Sequence, residues 1–393
     1  GYDFYRRLGP LANVDKRYFR GKIPFWTAVT KHPNYDAFWR KRNILPHLRG
    51  IRAAVLVVGG WFDAEDLYGT LATYRAIRKQ NPAARCRLVM GPWYHGGWQR
   101  SAGRRLGDAD FGFATARWYR QKVELPFFEE HLRGVRPRRR APRALAFETG
   151  AQRWRRFSSW PPRKVSRRAL HLHPREGLGW KPAMRKGHER FISDPHKPVP
   201  YSQRVLTRWS RRYMAEDQRF AAWRPDVLVF RSAPMRDDVT LAGPLRAVLH
   251  VATDQSAADW VVKVIDEHPG RREGAALRTL ARDGGLQLMV RAGVIRGRFR
   301  RSFSKPEPFK PNTVTEVAFA LQDVLHTFKR GHRIVIQVQS SWFPLIDRNP
   351  QRYVPNIFEA KASDFVRATH RVYYGAAHPS RVEVSVLEGA LGR

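Results

Sequence analysis

Asp63 and His95 are the two residues whose types and positions most clearly suggest chemistry. Asp63 comes soon after the apolar segment AAVLVVGG, and His95 comes soon after a second apolar segment, CRLVM. A carboxylate that accepts a hydrogen bond from one imidazole nitrogen fixes the tautomer of the ring, so that the other nitrogen can take a proton from a nucleophile. If the two side chains meet in the fold, they can act together in acid–base catalysis.

The segments around these residues predict one βαβ unit. Residues 53–58 are apolar and rich in valine, which is typical of a strand buried on both faces of a parallel sheet, and residues 86–90 predict the next strand. Residues 64–79, between them, place four apolar side chains at helical spacing, namely Leu67, Leu71, Tyr74 and Ile77. Asn81-Pro82 ends this helix.

A helical crossover of this kind makes its two strands parallel, so both strands end at the same edge of the sheet. Open α/β sheets gather their functional groups at that edge, and we therefore expect Asp63 and His95 to lie together there. Asp before His on successive strands is also the order found in α/β-hydrolases, Ser…Asp…His. The sequence thus favours an α/β fold with an acid–base pair at its strand ends.

Two motifs around these residues, GGWFDAEDLYG and VMGPWYHGGW, resemble the CocE/NonD hydrolase family. This family includes cocaine esterase, α-amino acid ester hydrolases, glutaryl-acylase relatives and X-Pro dipeptidyl-peptidases, and the resemblance extends over essentially the whole chain. It implies that Asp63 is the acid and His95 the base of a catalytic triad. It also implies that Glu65 and Asp66 bind the ammonium group of a substrate, which favours amino-acid esters or X-Pro peptides.

The serine nucleophile of that family lies in a G-x-S-x-G turn, and this motif does not occur in the 393 residues. The resemblance begins inside the part that corresponds to the end of the family's helical cap. We therefore expect the C-terminal portion of a serine hydrolase of ester or amide bonds, which cannot complete the reaction alone.

The acidic residues beside Asp63 allow other interpretations. Carboxylates in the first turn of a helix interact favourably with the helix dipole, by about 0.3–1 kcal/mol each, whether or not they bind a substrate. Asp63, Glu65, Asp66 and His95 together could also bind a cation. The triad explains Asp63 and His95 with fewer assumptions, and we expect neither a metal ion nor a cofactor.

Other aromatic and histidine residues are ambiguous. Trp61, Trp93 and Trp98 could line a substrate pocket or pack beneath the two loops. His171 and His173 alternate on one predicted strand and so share a face, but the sequence places no third ligand near them, and we expect them to be structural.

After about residue 140 the pattern changes to short segments of alternating polar and apolar residues, such as RALHLH, DWVVKVID and VEVSVL. Many short strands without helices between them predict an antiparallel β-sandwich, and the jelly roll of the resembled family agrees. The predicted fold class is α/β plus all-β. The resemblance implies that residues 1–50 are the end of a helical cap, residues 51–140 the C-terminal half of an α/β-hydrolase domain, and residues 141–393 a jelly-roll β-sandwich.

The composition is that of a folded and very basic protein. With 13 Trp, 13 Tyr and 22 Phe the chain can build a large core, and its only cysteine, Cys86, excludes an internal disulfide framework. The net charge of +39 supports one alternative function, a non-catalytic basic module that binds polyanions or nucleic acid. No zinc-finger, RRM or basic-zipper pattern is present. We expect a small-molecule ester or peptide substrate, no specific nucleic acid and no membrane span, and the sequence allows a homo-oligomer.

Overall fold

The computed structural model describes residues 1–137, 139–204, 206–207, 209–270 and 285–388. The first fifty residues are helical, with short segments α1 (Tyr2–Leu8), α2 (Ala12–Val14), α3 (Pro24–Thr30) and α4 (Ala37–Arg40). A wider π-type turn follows α2 at Asp15–Phe19, and a 3₁₀ helix lies at Leu45–His47. The assignment of this segment to a cap stays a prediction.

A parallel pair of strands forms the centre of the α/β part. β1 (Val55–Gly60) and β2 (Cys86–Gly91) run in register from Val55↔Cys86 to Gly60↔Gly91, and α5 (Leu67–Gln80) connects them. The buried residues of α5 are the four whose spacing predicted the helix, Leu67, Leu71, Tyr74 and Ile77. The βαβ prediction is therefore confirmed, although α5 begins about three residues later than expected because Asp66 caps it.

Short elements follow β2, and one of them packs on the sheet through Ala116 and Tyr119, which contact Val89 and Leu145. They are α6 (Gly97–Arg100), the two-strand hairpin β3 (Arg105–Leu106) and β4 (Ala109–Asp110), α7 (Thr115–Tyr119) and α8 (Leu125–Leu132). A π-type turn, Arg120–Glu124, joins α7 to α8. Pro126 lies in the first turn of α8, directly after the π-type turn.

Two further strands extend the parallel sheet beyond the predicted domain boundary. β5 (Ala144–Glu148) pairs with β2 in parallel, and β6 (Arg153–Phe157) pairs antiparallel with β5, which gives the order β1-β2-β5-β6. The boundary predicted between residues 140 and 141 lies in the connection between β2 and β5 and stays a prediction. Every residue of β5 is buried, as in a strand covered on both faces, whereas burial alternates along the sandwich strands at Ala368–Tyr374 and Arg381–Leu387.

The remaining strands form the β-sandwich. They are β7 (Val165–Leu172), β8 (Gly177–Gly179), β9 (Gly187–Ser193), β10 (Val227–Ser232), β11 (Val239–Thr253), β12 (Asp259–Glu267), β13 (Gln287–Arg296), β14 (Thr315–Phe328), β15 (Arg333–Gln339), β16 (Ala368–Tyr374) and β17 (Arg381–Leu387). A short helix, α9 (Arg219–Ala222), precedes β10, and 3₁₀ turns occur at Tyr213–Ala215, Gly297–Phe299, Ile357–Glu359 and Ala362–Asp364. The strand order is β13-β12-β15-β10-β8-β7-β17-β11-β16-β9, with β14 paired to β11.

The two parts pack against each other through β12. Trp260, Val262 and Val264 face the core inside the sandwich. Val261, on the opposite face of the strand, joins the core that contains Trp61 and the buried side of α5. The fold is thus a mixed α/β unit followed by a large β-sandwich, as predicted. None of the helices in the described ranges has the length and hydropathy needed to cross a membrane.

Candidate active site

Backbone hydrogen bonds tie the loop after β1 to the loop after β2. Trp61 N–H donates to the Gly91 carbonyl at 2.8 Å, and Phe62 N–H donates to the Trp93 carbonyl at 3.1 Å. Gly60 permits this approach, because a Cβ at that position would lie 2.1 Å from the Trp93 carbonyl oxygen. The residues that follow in the two loops are thereby held side by side.

The Asp63 carboxylate is buried and is oriented by its own loop. Its Oδ1 accepts hydrogen bonds from the backbone N–H groups of Glu65 and Asp66, both at 2.9 Å. Its Oδ2 lies 3.1 Å from His95 Nδ1. Because Oδ1 is already occupied by two donors, Oδ2 is the oxygen that is available to the imidazole.

His95 directs its second ring nitrogen away from Asp63. An ionised carboxylate only accepts, so Nδ1 carries the proton that the two residues share, and Nε2 of the neutral ring keeps its lone pair. The His95 side chain is 42% exposed, and its ring lies 6.5 Å from that of Trp98. Gly96 has φ +70°, a conformation that favours glycine, and turns the chain directly into α6. The ring is therefore placed to take a proton at Nε2.

The carboxylates of Glu65 and Asp66 make different contacts. Asp66 is the N-cap of α5, and its Oδ1 accepts from Gly69 N–H at 2.8 Å. Glu65 is half exposed, and its Oε2 lies 3.8 Å from His95 Nε2. The helix-terminus interpretation therefore applies to Asp66, whereas Glu65 projects beside the nitrogen that would take a proton. Binding of a substrate ammonium group by either residue stays a prediction.

Two of the three tryptophans near the pair pack beneath the loops. Trp61 is buried and donates from Nε1 to the Phe147 carbonyl at 2.8 Å. Trp93 is also buried and donates from Nε1 to Thr115 Oγ1 at 2.9 Å. Only Trp98 of the three is partly exposed beside His95. Of the two roles that the sequence allowed, a pocket wall or packing beneath the loops, Trp61 and Trp93 have the packing role.

A buried arginine of the sandwich supports the loop that carries Asp63. Arg291, on β13, is buried and donates from Nη1 to the Trp61 carbonyl at 2.8 Å. Burial lowers the pKa of Arg291 to about 10, so the guanidinium stays charged near neutral pH. The sandwich thus contributes to the geometry of the site even though the pair itself lies on the α/β part.

The other histidines singled out from the sequence do not converge on a metal site in the described ranges. His171 leaves Nδ1 buried without a hydrogen-bond partner among those residues, and His173 Nε2 lies 2.8 Å from the Lys181 carbonyl. The described residues that do bring metal-binding atoms together are Asp266, His268 and His332. Sequence reasoning missed this group. The only sequence indication was the D-x-H spacing at the end of a predicted strand, which puts two ligands on one face.

Comparison with known proteins gives consistent matches. The sequence pattern of the X-Pro dipeptidyl-peptidase C-terminal non-catalytic domain matches residues 139–383, more than half of the chain. The pattern of the S15 family of X-Pro dipeptidyl-peptidases matches residues 6–97, which include Asp63 and His95.

Individual relatives match almost the whole chain. Cocaine esterase of Rhodococcus sp. (strain MB1 Bresler) is 27% identical over 382 residues, which cover 94% of this chain and 62% of the esterase. An aminopeptidase from the marine sediment archaeon Thaumarchaeota archaeon superimposes with a TM-score of 0.92 at 37% identity, over 98% of this chain and 64% of the aminopeptidase. An α-amino acid ester hydrolase also gives 0.92, at 34% identity, over 98% of this chain and 65% of the hydrolase. The chain thus spans slightly less than two thirds of the length of each relative.

Proposed function

Because this chain belongs to the CocE/NonD family of serine hydrolases, which takes in the X-Pro dipeptidyl-peptidases, we propose that Asp63 and His95 are the acid and base of a Ser-His-Asp triad. His95 Nε2 takes the serine proton as the serine oxygen attacks an ester or amide carbonyl. The same nitrogen then returns the proton to the leaving group. Asp63 orients the ring and stabilises the imidazolium that forms between these steps.

The observation that carries this proposal is that the two oxygens of the Asp63 carboxylate have different partners. Two backbone N–H groups hold Oδ1, and Oδ2 is 3.1 Å from His95 Nδ1. A carboxylate that only packed against a histidine would not need this second set of donors. With them, the carboxylate cannot rotate without losing hydrogen bonds, so the imidazole is fixed in the tautomer that general-base catalysis requires.

For the substrate, we propose an ester or amide whose acyl part carries a free α-amino group. The similar proteins named as an aminopeptidase and an α-amino acid ester hydrolase support this class. Glu65 supports it as well, since its carboxylate is 3.8 Å from His95 Nε2 and half exposed. An ammonium group held there would place the adjoining carbonyl close to the base.

We propose that the nucleophilic serine lies outside these 393 residues, since they contain no G-x-S-x-G motif. Two protein preparations test it. In the first, the 393-residue chain is assayed with p-nitrophenyl esters against its His95→Ala variant, and we expect equal rates. In the second, the upstream third of the archaeal aminopeptidase is joined before Gly1, and we expect hydrolysis of amino-acid p-nitroanilides.

In the joined protein, His95→Ala and Asp63→Asn should each lower kcat/KM by about 10⁴-fold or more, as loss of a triad member does. Full activity in the joined His95→Ala variant would refute the assignment of the base. If the 393-residue chain is active and loses that activity with His95→Ala, the assignment of Asp63 and His95 stands, but the nucleophile lies within this sequence.

A further inference from the structure

Three histidines surround one buried carboxylate in the sandwich. Asp266 lies near the end of β12, and its side chain is 2% exposed. Its Oδ1 is 2.8 Å from His332 Nδ1, and its Oδ2 is 3.1 Å from His326 Nε2 and 3.7 Å from His268 Nε2. The rings of His268 and His332 lie 4.5 Å apart. Three imidazoles from three segments of the chain therefore converge on a single acid.

This environment differs from that of two other buried carboxylates of the β-sheets. Glu148 pairs with Arg153, and Asp259 pairs with Arg296. The chain has 73 lysines and arginines, and an arginine neutralises the charge of a buried carboxylate at any physiological pH. The residues around Asp266 are imidazoles, which in the neutral form are also ligands of transition metals.

The cluster opens onto a cavity that is acidic in a strongly basic protein. The cavity has a volume of about 430 Å³, and Asp266, His268, His326 and His332 all lie in its wall. Among the described residues that line it are two more carboxylates, of Asp108 and Asp110, against a single arginine, Arg105. With neutral imidazoles, the described residues of the wall therefore carry a net charge of about −2, which favours a cation.

We propose that Asp266, His268 and His332 bind one divalent transition-metal ion of the Zn²⁺ type. Catalytic zinc sites use one carboxylate and two imidazoles as ligands, and the same ligands bind other divalent metals of intermediate softness. Their ligand atoms already lie within 4.8 Å of one another. Bond lengths of about 2.0–2.2 Å in a tetrahedral site need separations near 3.4 Å, so each side chain moves by about 1 Å or less. The fourth position faces the cavity and is open to water or a small ligand.

His326 is a positioning residue in this proposal. Its Nε2–H donates to Asp266 Oδ2, while its Nδ1 lies 2.8 Å from Thr149 Oγ1. The Thr149–His326–Asp266 chain orients the carboxylate in the way that outer hydrogen bonds orient metal ligands, at a cost of about 10–100-fold in affinity when removed. The proposal does not depend on the hydrolase triad, because none of these residues is part of it.

Zinc binding to the chelator-stripped 393-residue chain, prepared without a polyhistidine tag, tests the site. Competition against a chromophoric chelator should give one Zn²⁺ per chain. Asp266→Asn and the double variant His268→Ala/His332→Ala should each weaken binding by at least about 100-fold, and His326→Ala by about 10–100-fold. Two matched controls should change the affinity by less than about threefold. His171→Ala/His173→Ala removes two other imidazoles, and Asp108→Asn removes a cavity carboxylate outside the ligand set.

The absence of saturable one-to-one binding would overturn the proposal, and so would an equal loss of affinity in Asp108→Asn and Asp266→Asn. Circular dichroism of each variant checks that it is folded. If a variant fails that check, zinc-edge anomalous diffraction of the unsubstituted protein decides the question. A peak within bonding distance of Asp266 supports the site, and peaks only elsewhere refute it.

Discussion

Asp63 and Asp66 lie three residues apart in one loop, yet different bonds hold their carboxylates. Asp63 accepts from two amides of its own loop and from His95, whereas Asp66 caps α5 through Gly69 N–H. Both residues are acidic positions at the start of a helix, so sequence alone could not separate the structural from the chemical role. The hydrogen bonds make that separation.

Substitution of Asp66 can separate its cap from any contact with substrate. Asp66→Ala should lower the free energy of unfolding by about 1 kcal/mol, because the Gly69 N–H loses its acceptor, whereas Asp66→Asn should change stability little, because asparagine caps equally well. Urea unfolding measures both. If Asp66 also binds a substrate ammonium, Asp66→Asn in the joined protein should lower kcat/KM for amino esters more than for their deaminated analogues. Equal changes in kcat/KM for the two kinds of substrate would show that Asp66 caps the helix and does not bind the ammonium group.

Among single residues, the Asp63–His95 contact was the part of the site that the sequence predicted best, because two successive parallel strands must bring their following loops to one edge. The Asp266 cluster was not predicted, because its histidines come from distant segments. His332 is brought to Asp266 by the pairing of β12 with β15, and His326 reaches it from β14, which pairs with β11. Periodicity within one strand shows which face a residue takes, but it does not show which strand lies beside it.

At the scale of elements, the contact between the ends of β1 and β2 depends on Gly60. We predict that Gly60→Ala lowers the free energy of unfolding by about 1–3 kcal/mol, because the new methyl group would meet the Trp93 carbonyl oxygen and force the strand ends apart. Thermal unfolding measures the loss. Gly270→Ala is the matched control, since a Cβ there meets no atom of the described residues within 4 Å. Equal melting temperatures for the two variants would show that the close approach is not needed.

β12 contains a buried lysine whose charge opposes folding. Lys263 is fully buried, its Nζ donates to Gln218 Oε1 at 3.0 Å, and burial lowers its pKa to about 7. The unfolded chain holds the lysine proton up to a pH of about 10.4, so between pH 7 and 10 the unfolded state binds more of this proton and the contribution of Lys263 to stability rises with pH. Below pH 7 the full penalty remains.

Lys263→Met should therefore raise the free energy of unfolding at pH 7 by about 2 kcal/mol, after allowing for the lost hydrogen bond to Gln218. The gain should shrink toward zero at pH 10, where the wild-type lysine no longer needs to lose a proton on folding. Urea unfolding of both proteins at the two pH values measures the difference, with the exposed Lys310→Met as the control. A gain that is equal at pH 7 and pH 10 would contradict the account.

The sequence predicted the type of most elements near the site, and its domain boundary between residues 140 and 141 stays a prediction. β5 reads as the first strand of the sandwich because its segment follows an arginine- and proline-rich stretch and is followed by strands. In the fold it completes the parallel sheet beside β2. Its continuous burial results from tertiary packing on both faces, which local alternation in the sequence does not reveal.

For the whole molecule, the net charge of +39 predicts adhesion to polyanions without sequence preference. We expect the chain to bind two unrelated DNA duplexes of equal length with nearly equal affinity, and log Kobs to fall linearly and steeply with log salt. Fluorescence anisotropy over a salt series measures both. A preference of more than about tenfold for one sequence at physiological salt would instead support the alternative of a specific nucleic-acid module.

The central claim is that Asp63 holds His95 with the proton on Nδ1 and the lone pair on Nε2, and the tautomer itself can be measured. Long-range ¹H–¹⁵N correlation spectra of imidazole-labelled protein, with the His95 signals identified from His95→Ala, report which nitrogen carries the proton when the ring is neutral. We predict a protonated Nδ1 and an unprotonated Nε2 in the wild-type protein, and the opposite tautomer in Asp63→Asn. A wild-type ring protonated at Nε2, or a tautomer that does not respond to Asp63→Asn, would contradict the account.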